Sequence, residues 1–382
     1  MGFLRNLISV IRFAALPQDQ RQVTFYSEGE NYWPYLAELV NELLDNSSLT
    51  INYISSSAQD PGVQLRHKQL NTFVVDEGHV RNYLFENLAT DIMIMTMPDL
   101  GSFQIKRSQH PVHYVYVQHS LVSLHMAYRE GAFDEFDTVF CSGPHHIAEI
   151  EAIQAESGKR AIHAIPHGYS RLDLILKEAS EKSATSSGGN EHSPTKHILF
   201  APTWGSNCAI ESGAAAPIIS KLLIAGHRVT LRPHPQTIKL SAAQVQAIVD
   251  EHSKNPQFSF EANVTSQDSL HSSDIMICDW SGAALDYAFG LGKPVLFLDV
   301  PKKINNPNYT SIDLPPFEES IREIIGTVCS IDDVVLPTQT LNYEVSDYVF
   351  NPGQSAKAGA KYIIELAAEI KTNSSTSLAS AD

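Results

Sequence analysis

Asp274–Asp299 reads DIMICDWSGAALDYAFGLGKPVLFLD. Ile275–Cys278 is an apolar run of strand length and Asp279–Gly282 a tight turn. Ala283–Phe289 has the length of a short helix, and after a Gly-Lys-Pro break Val295–Leu298 is a second apolar run. Strands apolar at every position are buried on both faces, so this is a βαβ unit of a parallel sheet. Such sheets hold ligands beyond the carboxyl ends of their strands. Here that end carries Asp279, Ser281 and Gly282. Ser281 is expected to cap the helix. The backbone N–H groups of Gly282 to Ala284 would then face an anion, with the helix dipole assisting. Gly282 and Asp286 stand four apart and share a helix face. A phosphate cradle and a carboxylate for a ribose hydroxyl would thus lie on one wall, although an ordinary α/β connection has the same pattern.

Upstream, the strand–helix alternation restarts twice. Val23–Tyr26, Leu49–Ile54, Thr72–Val75, Ile92–Met95, Tyr114–Val117 and Thr138–Cys141 are strand candidates. Leu36, Leu39, Val40 and Leu43 carry helical spacing between the first two. Residues 17–178 therefore read as one Rossmann-like domain. Residues 179–196 are rich in Ser and Gly and read as a linker or mobile loop. Strands at His197–Ala201, Arg228–Leu231 and Phe258–Phe260, and helices at Ala215–Ile224 and Ala242–His252, build a second such domain over 197–371. Its last helix, Ala356–Ile370, either extends that domain or crosses back to the first. The polar tail, 372–382, is expected to be disordered. The predicted fold is α/β, two Rossmann-like domains in the glycosyltransferase-B architecture with an inter-domain cleft. Periplasmic-binding-like proteins and epimerases share that two-domain periodicity.

The 382 residues are 43% hydrophobic and 18% charged, an ordinary globular balance. A net charge of −16 argues against non-specific nucleic-acid binding, which needs a basic footprint. The four cysteines are scattered with no CxxC, which reads as reduced thiols in the cytoplasm. No apolar run reaches the ~18 residues of a membrane span. Residues 1–16, MGFLRNLISVIRFAAL, are apolar apart from Arg5, Asn6, Ser9 and Arg12. Their functional reading is an amphipathic helix on a membrane surface; the alternative is a helix packed on its own domain.

Four further clusters follow strand ends. Arg232 and His234 of RPHP project from one side of a strand that the prolines terminate. A guanidinium beside an imidazole can neutralise a diphosphate and the charge developing on a leaving nucleotide phosphate; a surface Arg and a satisfied His are the plain alternative. Pro202 stiffens the APTW loop, Thr203 can donate to a phosphate or base, and Trp204 reads as a core or rim residue, with stacking on a ligand as the alternative. His119, after Tyr114–Val117, would enter the cleft from the other domain as a base for a hydroxyl nucleophile, or be structural. Arg171 of HGYSRLD would reach a donor phosphate or pair with Asp173. His145-His146, read as a loop pair, lacks the ligand spacing of a metal site. No metal or other cofactor is called for.

Taken together, HGYSRLD resembles GYPR-x-D, LFAPTW resembles LYAPTW, LRPHP resembles R-x-H-P, and DIMICDWSGAALDYA resembles DxLITDYSSxxxDYA. In that order these are motifs of the CDP-glycerol glycerophosphotransferase family, which builds teichoic-acid-like poly(glycerol phosphate). The resemblance spans roughly Tyr114 to Asp299. It implies donor contacts at Arg171, Pro202, Thr203, Arg232, His234, Ser281, Gly282 and Asp286. It implies a catalytic base at His119, which matches the histidine of HGTPLK, and a catalytic role for His234 at the leaving phosphate. The chain departs from the family twice. Ser120-Leu121-Val122-Ser123-Leu124 replaces GTPLK, and Gly282 replaces the second serine of DYSS. The implied reaction moves glycerol phosphate, or a related alditol phosphate, from a CDP-activated donor to a hydroxyl of a lipid-linked or growing surface glycan, releasing CMP. The departures fit a branch making another surface polysaccharide, such as a capsule, at the inner face of the membrane. A glycosyltransferase using a nucleotide sugar, or a non-catalytic nucleotide-binding subunit, stays open.

Overall fold

Strands buried at every position need helices on both faces, and two such sheets form. The computed structural model describes residues 2–103, 105–157, 160–185, 195–263, 267–337 and 341–379. The first sheet contains β1 (Val23–Ser27), β2 (Ile51–Ser55), β3 (Leu70–Val74), β4 (Ile92–Met95), β5 (His113–Val117), β6 (Thr138–Cys141) and β7 (His163–Pro166). The second contains β8 (His197–Phe200), β9 (Arg228–Leu231), β10 (Phe258–Phe260), β11 (Ile275–Cys278), β12 (Val295–Leu298) and β13 (Gly326–Cys329). Their orders are β3-β2-β1-β4-β5-β6-β7 and β10-β9-β8-β11-β12-β13. Every pairing is parallel. In each sheet the order reverses once, between β1 and β4 and between β8 and β11, and a crevice opens where helices diverge at such a point.

The Trp33–Asn46 helix places Leu36, Leu39, Val40 and Leu43 on the first sheet. The Ala215–Ile224 helix places Ile218, Ile219 and Leu222 on the second. The Ser355–Ala379 helix returns to the first domain, where Ala360, Ile363 and Ala367 join its core and the Tyr362 hydroxyl meets Thr138 Oγ1 at 2.8 Å. The returning chain passes tightly over Gly168, whose φ of +105° favours glycine and whose added Cβ would sit 2.4 Å from the Phe350 carbonyl oxygen. That crossing is a structural use for the glycine of HGY.

Four expectations change. The Ser170–Thr185 helix takes up the start of the expected linker, and 186–194 lies outside the described residues. Residues 372–379, expected as disordered, continue the last helix. His145 and His146 belong to the first turn of the Pro144–Ser157 helix, not to a loop. Strands β7 and β13 have no counterpart in the sequence reading, because each is a four-residue edge strand without full burial. Among the described residues no helix is long and apolar enough to cross a membrane.

The N-terminal helix, Gly2–Ala14, is turned unusually. It buries Asn6, Ser9, Val10 and Phe13, while Phe3 (70% exposed), Leu4 (64%), Ile8 (50%) and Ile11 (58%) face outward. Asn6 Oδ1 accepts from the Asp76 N–H, and Arg5 pairs with Asp76.

Candidate active site

The loops at the carboxyl ends of β5, β8, β9, β11 and β12 converge on one cavity of about 590 Å³ between the domains. His119, Arg171, Pro202, Thr203, Arg232, His234, Ser281, Gly282 and Asp286 all line it. Tyr32, Tyr35, Tyr128, Trp204, Lys303 and Glu318 line it too. Side chains as far apart in sequence as Tyr32 and Glu318, 286 residues, thus line one cavity because both sheets aim their strand ends inward.

His119 follows β5 and has four tyrosine rings set edge-on around it, those of Tyr32, Tyr35, Tyr116 and Tyr128, at centroid distances of 5.8 to 6.3 Å. Its Nδ1 lies 2.9 Å from the Tyr116 hydroxyl. Burial lowers its pKa to about 4, against a backbone hydrogen bond to Thr96 that raises it. The imidazole is therefore neutral at pH 7, the state in which it accepts a proton.

The loop after His119 is fixed from both domains. His145 Nε2 and His146 Nε2 meet the Leu121 and Val122 carbonyls at 3.0 and 2.9 Å. Glu149 accepts from the Leu124 N–H. From the second domain, Glu318 accepts from Ser123 N (2.8 Å) and Ser123 Oγ (3.0 Å). Asn305 and Asn306 donate to the Ala127 and His125 carbonyls. So the segment that departs from GTPLK is an inter-domain clamp, and the histidine pair serves it. Among the described residues no group of three or more His, Cys, Asp or Glu is placed to hold a metal ion.

On the second domain, the Asp279 carboxylate accepts from Thr203 N (2.7 Å) and Ala209 N (3.0 Å), tying the APTW loop to the end of β11. Its buried oxygens are spent on this scaffold. His234 Nδ1 accepts from Gln236 N at 3.1 Å, so the proton of the neutral ring sits on Nε2. Burial, then the Lys303 charge, lowers the His234 pKa to about 4. His234 is thus a neutral donor, not a cation. Arg232 is buried, with Nη1 3.0 Å from Ser269 Oγ and 3.8 Å from Glu261. Lys303, which the sequence reading missed, lies after β12; its Nζ sits 4.0 Å from the Trp204 ring centroid and 3.4 Å from Thr203 Oγ1. Burial lowers its pKa to about 8. Trp204, read as core or rim, faces the cavity under that ammonium. A lysine outside every matched motif carries no sequence signal beyond its place after a strand.

Two local expectations fail at the Ala283–Leu291 helix. Gly282, with φ −60° and ψ −24°, occupies the cap position, and no side chain caps the helix, so Ser281 is not the N-cap. The Ala284 N–H already bonds the Ser281 carbonyl at 3.1 Å, which leaves the Gly282 and Ala283 N–H groups for an anion. Arg171 pairs with Asp286, not Asp173: Nε donates to Oδ2 at 2.8 Å, with both residues buried. Asp173 instead accepts from Gly353 N (2.6 Å) and Ser355 N (2.8 Å) at the start of the last helix. Asp286, expected to await a ribose hydroxyl, has one oxygen committed to an inter-domain ion pair. Burial raises its pKa, and Arg171 opposes that rise.

Two parallel-sheet α/β domains meeting over a cleft make this a protein of the glycosyltransferase-B fold. The wall teichoic acid polymerase TagF, in a CDPG soak, superposes with a TM-score of 0.56 at 13% identity, covering 96% of this chain and 94% of that one. The UDP-GlcNAc 2-epimerase of Methanocaldococcus jannaschii, in complex with UDP-GlcNAc and UDP, superposes at 0.53 with 12% identity, covering 90% and 99%. At such identities these likenesses establish the fold. No curated protein matches the sequence. The family model described as CDP-glycerol:poly(glycerophosphate) glycerophosphotransferase matches residues 13–303. The chain belongs to that family and is a CDP-glycerol glycerophosphotransferase-like enzyme.

Proposed function

We propose that the enzyme transfers glycerol phosphate, or a related alditol phosphate, from its CDP donor to a hydroxyl of a lipid-linked or growing surface glycan and releases CMP. The observation that carries this is the single cavity lined by all nine motif residues from both domains. The acceptor oxygen attacks the phosphorus that bears the polyol. Its proton passes to His119, the bond from that phosphorus to the bridging oxygen breaks, and the electron pair leaves with CMP. One unit of negative charge develops on the departing phosphate. Arg232, Lys303, the Nε2–H of His234 and the Gly282 and Ala283 N–H groups line the wall that would receive it. Thr203 and Ser281 offer hydroxyls, and Pro202 stiffens the loop that carries Thr203. Arg171 acts through Asp286 by keeping the walls together. A base of pKa about 4 is weak alone. One anionic phosphate on the order of 5 Å away, at an effective dielectric of about 20, favours the imidazolium by about 3 kcal/mol and restores ordinary basicity.

The outward apolar face of the N-terminal helix supports docking on the inner face of a membrane. A helix packed only for stability turns Asn6 and Ser9 to water, and this one buries them. Arg12, Arg66 and Lys68 line a neighbouring groove, a basic rim suited to anionic headgroups in a chain of net charge −16. The surface polymer served is read as a capsule-like polysaccharide.

The test is a thermal-shift panel of CDP-glycerol, CDP-ribitol, CDP, CMP, UDP-sugars and GDP-sugars on wild type and Arg232→Ala. CDP ligands that raise Tm in wild type and fail to in the variant are the expected result. Shifts with UDP- or GDP-sugars alone replace the reading with a sugar transferase.

A further inference from the structure

The two departures from the family motifs lie on different domains, and the fold brings them face to face. A Cβ built on Gly282 would sit 2.9 Å from Ser120 Oγ and 3.5 Å from Val122 Cγ1. A Cβ there would oblige the Ser120 hydroxyl to turn away, so the hydroxyl occupies the space that a side chain at 282 would take. The family patterns given above have glycine after the histidine and serine at the end of DYSS; this chain has serine after the histidine and glycine at the end of DWSG. We infer that Ser120 and Gly282 are one exchange, in which the hydroxyl that hydrogen-bonds the transferred phosphate has moved from the donor domain to the loop carrying the base.

Three observations support this assignment, which rests on the proposed donor site. Ser120 Oγ accepts from Val122 N at 3.4 Å, so its hydroxyl hydrogen is left to donate into the cavity that both residues line. Gly282 lines the same cavity, and its N–H donates to no backbone carbonyl. Ser120 adjoins His119, and a base within reach of the attacking hydroxyl stands next to the phosphorus under attack, so the Ser120 hydroxyl meets the transferred phosphate and not that of CMP. The clamp from Glu318, His145 and His146 holds this loop in place.

The experiment is a double-mutant cycle on Ser120→Gly and Gly282→Ser, reading Kd for CDP, with CMP as the ligand lacking the transferred phosphate. Ser120→Gly is expected to weaken CDP on the order of tenfold, as for one lost hydrogen bond to a charged group, and to leave CMP unchanged. Gly282→Ser is expected to weaken CDP at least as much, because the new side chain meets Ser120. The double variant is expected to return to within about threefold of wild type, a coupling that independent sites do not show. Ser120→Thr keeps a hydroxyl and is expected to keep CDP affinity, which guards against a Gly282→Ser protein that fails to fold. Losses that add in the double variant, or a Ser120→Gly protein with unchanged CDP affinity, overturn the exchange and leave the donor reading standing. Equal wild-type affinity for CDP and CMP also overturns the Ser120 contact. A wild-type protein that binds neither overturns both.

Discussion

Replacing Asp286 tests what holds the walls of the cleft together. Arg171 Nε and Asp286 Oδ2 are 2.8 Å apart, and both residues are under a tenth exposed. Two unit charges at about 4 Å and an effective dielectric of about 20 attract by about 4 kcal/mol. Removing one partner of such a pair strands the other charge, at a cost of about 3–5 kcal/mol. Asp286→Ala leaves the Arg171 guanidinium against the Tyr35 ring, 5.9 Å from its centroid, with no carboxylate. We expect a loss of that size in urea unfolding, read by tryptophan fluorescence. Trp33 reports the first domain and Trp204 and Trp280 the second, so loss of inter-domain contact shows as separated transitions. Arg171→Met/Asp286→Leu, which removes both charges, should recover most of the loss. An Asp286→Ala protein within about 1 kcal/mol of wild type, with CDP affinity still reduced, would refute the bridge and restore the carboxylate to a ligand-binding role.

His119→Ala should abolish turnover while leaving CDP affinity within about threefold, because the proposed base would act on the acceptor hydroxyl; full turnover in single-cycle kinetics would reject the assignment. The Lys303 cation, with its pKa lowered to about 8, is present below that pH and lost above it. Affinity for CDP should therefore fall as pH rises through about 8, and Lys303→Arg should flatten the profile. His119, His167 and His234 each have folded pKa values near 4, below the unfolded value of about 6.5. Between those limits the unfolded chain binds more protons, so stability should drop as pH falls from about 6.5 to about 4, by up to about 3 kcal/mol for each ring; a Tm flat across that window contradicts their burial as neutral groups. Ile8→Glu in the exposed face of the N-terminal helix should abolish flotation with anionic vesicles and leave Tm unchanged; equal flotation of variant and wild type would remove the membrane reading.

The candidate site was legible where its residues announce themselves locally. RPHP, APTW and DWSG each follow an apolar run, and a run that ends at a polar or proline-rich turn marks the carboxyl end of a strand. His119 follows the same rule. Tyr32, Tyr35 and Tyr128 did not stand out, since a tyrosine near a helix or loop is ordinary until four rings surround one imidazole. Lys303 sits in a Pro-Lys-Lys-Ile loop that could face anywhere.

By itself the sequence determined the class of fold. Continuous apolar runs such as IMIC and VLFL demand burial on both faces, and alternation with helices makes the sheets parallel, so ligand residues collect at one edge of each. Periodicity is a property of neighbours along the chain, and it stops there. Which carboxylate meets Arg171 was decided by space: Asp173 is two residues away and caps another helix, while Asp286, 115 residues on, lies 2.8 Å from the guanidinium. Ser120 and Gly282 likewise read as two separate departures until the domains close over them. Tertiary structure decided these pairings because ion pairs and steric contacts depend on distance through space, and that distance is set by how two sheets, each legible alone, face one another.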